Sequence, residues 1–446
     1  MRVIIAGGGI GGLATALSLH AAGVEDVVVH EAAERIRPLG VGINLLPHAV
    51  RELTELGLAD RLSAIGVATA ELAYFNRYGT PIWSEPRGLD AGYAWPQYSV
   101  HRGRLQMLLL EAVIERLGPH AVRTGSRVTL AGKGSRTGTD DPRIDADATR
   151  AGTDGTRVGA DEVRAGADEV RIGPDDLLVG ADGIRSAVRA HLFPDEGPPP
   201  WNGLVLWRGT TYGEPFLTGR SMIMAGDGTR KFVAYPITTG ERPLINWIAE
   251  QPVGGDTWGP ADWNRPADPA EVAGRFADWR FDWLDVPGII GGAEAAYEYP
   301  MVDRDPLPYW TAGNVTLLGD AAHAMYPIGS NGASQAIIDA RVLASFLARG
   351  DLAGYEADRR PATTALQLSN REMGPEVVMK LAHDRAPGGF DDVENVIPFA
   401  ERAEIAASYK RTAGFDPVAL NERPSWSVTR RPERGVTRRP GTRPRT

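Results

Sequence analysis

Two groups of residues, about 300 positions apart, have the types and spacing that bind a long dinucleotide. Gly7, Gly9 and Gly12 match G-x-G-x-x-G, whose glycines permit a tight turn, a close approach to pyrophosphate and close helix packing. Glu31 can accept hydrogen bonds from both ribose hydroxyls and would repel a phosphorylated ribose. Asp320 could accept bonds from a polyol chain or, alternatively, cap a helix. These residues predict one dinucleotide held at both ends, FAD or NAD rather than NADP.

Strands and helices in the usual order position these residues. Apolar residues 3–5 predict a buried parallel strand, and residues 13–22 predict a helix that stops at Gly23. Residues 27–30 predict a second strand that ends at Glu31. Near the other end, residues 315–318 predict a strand, and a helix is expected after Gly332. The N-terminus of the first helix then offers free N–H groups and a positive dipole end to phosphate.

Two further motifs identify the protein family that this chain resembles. The pattern G-D-A-A-H-x-x-x-P-x-x-x-x-G occurs from Gly319 to Gly332, and G-A-D-G-x-x-S occurs from Gly180 to Ser186. With the N-terminal glycines, these motifs resemble the FAD-dependent aromatic-ring monooxygenases of the para-hydroxybenzoate hydroxylase group. Asp182 in the second motif could alternatively cap the following helix.

Over residues 1–372 the resemblance is closer to the 5-methylphenazine-1-carboxylate 1-monooxygenase type. The matching stretches are residues 36–44, 96–103, 207–209, 234–237, 261–265 and 299–308. The resemblance implies non-covalent FAD, NADH or NADPH as transient reductant, and dioxygen as co-substrate. It also implies hydroxylation of a planar aromatic or N-heteroaromatic substrate, with or without loss of its carboxyl group.

The resemblance and the motifs together give a set of candidate site residues. Tyr235 and His48 could orient or deprotonate a substrate, although neither is assigned as catalytic. The residues expected at the cofactor are Gly7, Gly9, Ile10, Gly11, Gly12, Glu31, Ala32, Val41, Gly42, Arg104, Val128, Asp182, Gly319, Asp320, Pro327, Gly329, Asn331 and Gly332.

The expected fold class is α/β with an α+β substrate lobe: a Rossmann-like FAD-binding domain of the para-hydroxybenzoate hydroxylase type carries an inserted, mainly antiparallel sheet. β-like runs at residues 203–212, 220–225, 231–237 and 244–251 predict that sheet, and a hairpin of residues 71–76 and 81–85 is expected to join it. Its aromatic side chains could wall a substrate pocket or fill the core; they are Trp207, Tyr212, Phe232, Tyr235 and Trp247.

The domain boundaries follow from these elements. Residues 1–72, 98–195 and 298–372 are assigned to the FAD-binding domain, and 73–97 and 196–297 to the substrate domain. Residues 373–426 are expected to form a C-terminal helical segment. Seven-residue repeats at about 143–177 indicate an expanded hairpin or a flexible insert. Residues 427–446 contain seven Arg and one Glu and are expected to be a disordered basic tail.

Composition excludes several classes of function. The chain has no Cys, which excludes disulfides, thiolate zinc sites and Cys nucleophiles. The eight His show no metal-binding spacing, and a net charge of −9 gives no reason to expect nucleic acid. No apolar run is long enough to span a membrane, so a cytoplasmic protein is expected. Two alternatives stay open, an NAD-dependent dehydrogenase and a non-catalytic or lipid-handling flavoprotein, as does the oligomeric state.

Overall fold

The computed structural model describes residues 1–130, 162–165, 168–171, 173, 175–254 and 265–428. The strands of the first half are β1 Val3–Ala6, β2 Val27–His30, β3 Gly42–Leu45, β4 Gly66–Ala68, β5 Glu71–Asn76, β6 Pro81–Pro86, β7 Tyr98–His101, β8 Val122–Arg123, β9 Val128–Leu130, β10 Glu162–Ala165, β11 Asp168–Arg171 and β12 Leu177–Gly180. Those of the second half are β13 Trp201–Tyr212, β14 Ser221–Gly226, β15 Lys231–Pro236, β16 Leu244–Pro252, β17 Arg265–Ala267, β18 Arg280–Phe281, β19 Leu284–Asp285, β20 Ala296–Val302, β21 Thr311–Ala312 and β22 Val315–Leu317.

Helices connect and cover these strands. They are α1 Ile10–Ala21, α2 Pro47–Glu55, α3 Ala59–Ile65, α4 Arg102–Leu117, α5 Ala187–Leu192, α6 Pro269–Arg275, α7 Val286–Gly291, α8 Asp320–His323, α9 Gly332–Leu347, α10 Leu352–Arg371, α11 Val377–Arg385, α12 Phe399–Thr412 and α13 Pro417–Glu422. Within the described residues, no helix is long and apolar enough to cross a membrane.

The first sheet is the predicted dinucleotide-binding sheet. Its strand order is β21-β22-β12-β1-β2-β8, and β1 lies between β12 and β2, parallel to both. The apolar runs of these strands are fully buried because helices cover the sheet. Leu13 and Leu17 of α1 and Ile337 and Leu343 of α9 belong to its core. The carboxyl ends of β1, β2 and β22 therefore meet at one edge, where the candidate site residues follow.

The second sheet is the predicted, mainly antiparallel substrate sheet. Its order is β17-β20-β13-β16-β15-β14-β5-β6, and the hairpin of β5 and β6 joins it as expected. One pair departs from the antiparallel pattern, because β14 runs parallel to β5. The sheet packs α6 and α7 residues such as Val272 and Ile290 on one face and α11 residues such as Val378 on the other.

The repeats and the tail lie largely outside the described residues. The described part of the repeats forms an antiparallel hairpin, in which Glu162 pairs with Arg171 and Ala165 with Asp168. Strand β10 of this hairpin also pairs with β9. Of the expected basic tail, residues 429–446 are outside the described part.

The C-terminal segment contains helices α11, α12 and α13 and makes hydrogen bonds to residues of both domains. Arg51 of α2 donates hydrogen bonds to the carbonyl oxygens of Leu420 (2.8 Å) and Arg423 (2.7 Å). The Tyr93 hydroxyl donates to the carbonyl of Phe415 at 2.7 Å. Tyr409 of α12 contacts the loop that follows α8, where its hydroxyl donates to the carbonyl of Ile328 at 3.1 Å.

Candidate active site

The glycine-rich turn between β1 and α1 leaves space for a ligand at one glycine. Gly7 has φ +108°, and a Cβ there would lie 2.4 Å from the carbonyl oxygen of Ala181. A Cβ at Gly12 would lie 2.0 Å from the carbonyl oxygen of Gly7, whereas a Cβ added at Gly9 would meet no neighbouring atom within 4 Å. Helix α1 begins after Gly9 without a side-chain cap. Its first N–H groups are therefore available to an anion in the open space at Gly9.

Glu31 is fixed beside this turn by the backbone. One carboxylate oxygen, Oε2, accepts a hydrogen bond from the N–H of Gly8 at 2.8 Å, and Oε1 accepts from the N–H of Ala33 at 2.7 Å. Each oxygen keeps a lone pair for a further donor, and the side chain is only half-buried. The position suits a ribose, and this role stays a prediction.

The distal turn presents a free carboxylate. Gly319 has φ +60° and precedes Asp320, the first residue of α8. The exposed carboxylate of Asp320 has no hydrogen-bond partner within the described residues, so it does not serve as a helix cap here. Helix α9 also starts without a side-chain cap, because the Asn331 amide donates to the carbonyl of Gly329 and to the hydroxyl of Tyr409. The N-terminus of α9 and Asp320 thus face the same space.

A buried ionic network holds the distal turn. The His323 Nε2 atom lies 2.5 Å from Asp339 Oδ2, and Arg359 Nε donates to Asp339 Oδ1 at 2.7 Å. The N–H of Gly319 also donates to Asp339, at 3.1 Å. Although burial alone would raise it, the charges of His323 and Arg359 lower the pKa of Asp339 to about 2. His323 therefore supports the turn from within the core.

Asp182 takes the capping role that the sequence left as an alternative. Its Oδ1 accepts from the Ser186 hydroxyl at 2.5 Å, and its Oδ2 accepts from the N–H of Ala187 at 2.7 Å. Burial raises the pKa of Asp182 and these hydrogen bonds oppose the rise. Its neighbours Ala181 and Gly183, rather than Asp182 itself, line the groove described next.

A groove of about 790 Å³ connects the two turns. It is lined mainly by glycines, small residues and both helix N-termini: Gly9, Ile10, Gly11, Ile43, Arg102, Ala181, Gly183, Arg208, Leu318, Gly319, Asp320, Gly332, Ala333 and Ala336. Open glycine backbone, uncapped helix N-termini and a free carboxylate are the donors and acceptors that FAD requires. The groove therefore fits the predicted cofactor.

Several predicted cofactor residues lie near this groove without lining it. Gly329 is required by packing, since a Cβ there would lie 2.1 Å from the Tyr409 hydroxyl. Arg104 is exposed on α4, and Arg102, two residues earlier, is the arginine that lines the groove. The sequence analysis missed Arg102, although its place at the start of α4 is a usable signal. Of the remaining residues, Val41 and Val128 are buried and Ala32 is exposed beside Glu31.

A second cavity, of about 900 Å³, opens from the groove toward the substrate sheet. The two share Ile43, Arg208, Asp320, Gly332 and Ala333. Side chains of one face of the sheet form the far wall: Leu206, Arg208, Met222, Met224, Lys231, Val233, Tyr235, Ile248 and Glu250. Pro327 and Asn331 line the wall that belongs to the first domain. A molecule in this cavity would contact both domains.

The structure places three of the five candidate aromatic residues in the core of the substrate domain. Trp207, Phe232 and Trp247 point to the opposite face of the sheet, where they pack against α6 and α7. Tyr212 ends β13 and is 63% exposed. Side chains alternate between faces along a strand, so the neighbours of these aromatics, including Leu206 and Arg208, face the cavity instead. Tyr235 is the one predicted aromatic that lines it.

Arg208 is a cation without an ion-pair partner within the described residues. Its Nη2 donates to the carbonyl of Gly42 at 3.1 Å, and its guanidinium carbon lies 6.0 Å from the centre of the Tyr299 ring. Its Nε is buried and has no hydrogen-bond partner. Burial lowers the pKa of Arg208 from a value so high that the group stays charged. A cation placed in this way can bind an anionic group in the cavity.

Farther along the same wall lies a cluster of one lysine and two carboxylates. Lys231 Nζ is 2.8 Å from a carboxylate oxygen of Glu250 and 2.6 Å from one of Glu376. Burial alone would lower the pKa of Lys231, but the two carboxylates raise it. Burial raises the pKa of Glu250, and the charge of Glu376 raises it further against the effect of Lys231. Sequence patterns do not predict this cluster, because its members come from β15, β16 and the turn before α11.

The two catalytic candidates have different positions. Tyr235 lines the cavity, and burial raises its pKa to about 12, so its phenol is protonated at neutral pH. His48 is buried in α2, next to the ring of Phe415, and does not line either cavity. Burial lowers the pKa of His48 to about 3. The structure brings Tyr235, and not His48, to the substrate side of the site.

Metal chemistry has no support in the described part of the chain, where no group of three His, Asp or Glu side chains could hold an ion. The groove spans the distance between the N-termini of α1 and α9, neither of which has a side-chain cap.

Comparisons with known proteins agree with this arrangement. The family model described as FAD binding domain matches residues 1–197 and 303–366. A phenazine 1,6-dicarboxylic acid hydroxylase from Lysobacter antibioticus is 49% identical over 381 residues, which cover 83% of this chain and 89% of that protein. A 3-amino-4-hydroxybenzoate 2-monooxygenase from Streptomyces platensis is 34% identical and covers 84% of this chain and 88% of its own length.

The fold is also found in solved structures. A salicylate hydroxylase solved as a substrate complex superimposes with a TM-score of 0.69 at 21% identity, over 96% of this chain and 98% of that one. At this identity the likeness concerns the fold, which is the expected combination of a dinucleotide-binding sheet and a mainly antiparallel substrate sheet.

Proposed function

Because this chain belongs to the FAD-dependent aromatic hydroxylases, a family of flavin monooxygenases, we propose that its substrate is a planar, carboxylated N-heteroaromatic compound of the phenazine type. NAD(P)H and dioxygen are the co-substrates of this class. The observation that carries the substrate class is Arg208, an unpaired cation in a cavity that adjoins the flavin groove.

The cofactor is held by residues that are already in place. The N-terminus of α1 at Gly9 would take the pyrophosphate, Glu31 the adenosine ribose and Asp320 the ribityl chain. The N-terminus of α9 at Gly332 would face the ring system. When bound, FAD supplies the redox chemistry: it is reduced by NAD(P)H and activates dioxygen for transfer of one oxygen atom to an aromatic carbon.

The residues of the cavity bind and orient the substrate. Arg208 holds the carboxylate near the groove, and the apolar side chains of Leu206, Met222 and Val233 contact the flat rings and exclude water. The phenol of Tyr235 stays protonated and is a hydrogen-bond donor to substrate oxygen or nitrogen. No acid–base pair of the chain is required, because FAD activates the oxygen.

The relatives support both the size and the charge of this substrate. The Lysobacter hydroxylase is described as acting on a phenazine dicarboxylic acid, a flat tricycle with anionic groups. If hydroxylation occurs at the carbon that bears the carboxylate, the carboxyl group leaves as carbon dioxide.

The test is product mass under isotopically labelled dioxygen, with FAD-loaded protein, NADH or NADPH, and phenazine-1-carboxylate or its dicarboxylate. One labelled oxygen in the product is expected; loss of the carboxyl group shows decarboxylation, and its retention limits the reaction to simple hydroxylation.

Arg208→Met should raise KM at least tenfold, since a charge-assisted bond is lost. Arg275→Met is the matched control, because Arg275 lies against Trp207 on the opposite face. Peroxide without any hydroxylated product would refute the proposed substrate class.

A further inference from the structure

Two opposite charges face the substrate cavity without pairing with each other. Glu250 lies opposite Leu206 in the sheet, and Arg208 is two residues further along the same strand. Diagonal neighbours of this kind have Cα atoms roughly 7–8 Å apart, within reach of long side chains. Nevertheless Glu250 pairs with Lys231, and Arg208 bonds to the carbonyl of Gly42. Both side chains thus leave the space between them open within the cavity.

The charges around Glu250 do not balance. One ammonium group, Lys231, serves the carboxylates of Glu250 and Glu376, and all three side chains line the cavity. Glu376 makes a further contact, since its Oε1 accepts from the N–H of Gly329 at 3.3 Å. Glu250 is therefore the carboxylate with the greater unused capacity to accept a hydrogen bond. Because two buried carboxylates share one ammonium group, a hydrogen-bond donor on a ligand in the cavity would stabilise Glu250.

We propose that the Lys231–Glu250–Glu376 cluster is a second recognition site of the substrate cavity, in which Glu250 accepts a hydrogen bond from a hydroxyl or amino group of the substrate. The inference rests on the proposed function, which makes this cavity the substrate site. Arg208 takes the carboxylate and Glu250 takes a donor on a ring remote from that carboxylate. Opposite polarity at the two positions fixes which way round a flat molecule lies, and so which ring edge faces the flavin groove.

This arrangement gives Glu250 a role in specificity. A ring that carries a hydroxyl or amino group at the remote position satisfies Glu250, whereas an unsubstituted ring leaves its carboxylate without a partner. A site built around a buried polar group discriminates strongly against the analogue that lacks the matching group.

The experiment measures dissociation constants by calorimetry with FAD-loaded protein and a matched pair of ligands, phenazine-1-carboxylate with and without a hydroxyl group on the remote ring. The wild-type protein should bind the hydroxylated ligand at least tenfold more tightly. Glu250→Gln removes the negative charge but keeps an acceptor oxygen, so the preference for the hydroxylated ligand should fall to a small fraction of its wild-type value. The variant should fold, because Lys231 keeps Glu376 as its partner.

The matched control is Glu298→Gln. Glu298 is also buried in this sheet, but it accepts from Trp207 Nε1 at 2.7 Å and pairs with Arg265, away from the cavity. This control should retain the preference. Equal affinity of the wild-type protein for both ligands, or a preference that is undiminished in Glu250→Gln, would overturn the inference and leave the proposed function intact. If the wild-type protein binds neither ligand, both the inference and the proposed substrate class are wrong.

Discussion

At the level of single side chains, residues that shape the backbone differ from residues that meet a ligand. Gly7, Gly12 and Gly329 are required by contacts within the chain, since an added Cβ at each would lie less than 2.5 Å from another atom. Gly9, by contrast, borders open space. Sequence motifs mark both kinds alike, because each kind tolerates no side chain. The distinction needs the structure, and it changes what a substitution at each position tests.

Asp320 allows a direct test of cofactor binding. Its carboxylate is exposed and without a partner within the described residues, so Asp320→Ala should leave the fold unchanged. Loss of a charge-assisted hydrogen bond should weaken FAD binding by roughly 1.5–3 kcal/mol. The measurement is titration of the apoprotein with FAD, and Asp282→Ala, at an exposed site in the substrate domain, is the control. An unchanged affinity in Asp320→Ala would remove Asp320 from the cofactor site.

At the level of elements, the sequence predicts strands well and their faces poorly. The run at residues 203–212 lies within β13, and that at 231–237 includes β15. Periodicity alone does not show which face of a strand lines the cavity. It predicts that Trp207 and Arg208 point to opposite faces of the sheet, but not which of the two faces the ligand. That choice depends on α6, α7 and α11, which lie far from β13 in the chain and cover the two faces. Of the two alternatives for the aromatic residues, Trp207, Phe232 and Trp247 take the core position.

The repeat hairpin of β10 and β11 should be dispensable for cofactor binding. Strand β10 of the hairpin pairs with β9. The next strand, β12, lies in the first sheet beside β1 and, within the described residues, makes no pair with the hairpin. Replacement of residues 154–171 by a short Gly/Ser turn should therefore keep FAD bound, as judged by the flavin-to-protein absorbance ratio. The contrasting variant is Asp182→Ala, which removes the acceptor of the Ala187 N–H at the start of α5 and should lower the free energy of unfolding by about 1 kcal/mol. Loss of flavin from the shortened protein would show that the hairpin supports the first domain.

At the scale of the whole molecule, the buried histidine that does not line the cavity should affect stability. His48 has a pKa of about 3 in the folded protein, far below the usual 6.5, because burial disfavours its charged form. The unfolded chain therefore binds a proton that the folded protein does not between pH 6.5 and about 3. Folding stability should fall through this window as the pH is lowered, by about 1.4 kcal/mol per pH unit from His48 alone.

Denaturant unfolding at several pH values between 4 and 7 measures this effect. His48→Gln, which keeps a side chain able to bond with Gln335, should show a shallower decline than the wild-type protein. His30, whose pKa burial lowers to about 4, contributes to both proteins equally and cancels in the comparison. Identical slopes would contradict the assignment of a neutral His48.

The strand order of the first sheet also determines when its strands can pair during synthesis of the chain. Val3 of β1 pairs with Leu177 of β12, and β12 in turn pairs with β22, which starts at Val315. At a synthesis rate of 5–20 residues per second, one edge of β1 waits roughly 10 to 35 s for its partner. The strands of the substrate sheet all emerge before β22 and the N-terminus of α9. A nascent chain can thus form the strands of its substrate sheet first, and the cofactor site is complete only after residue 332 has been synthesised.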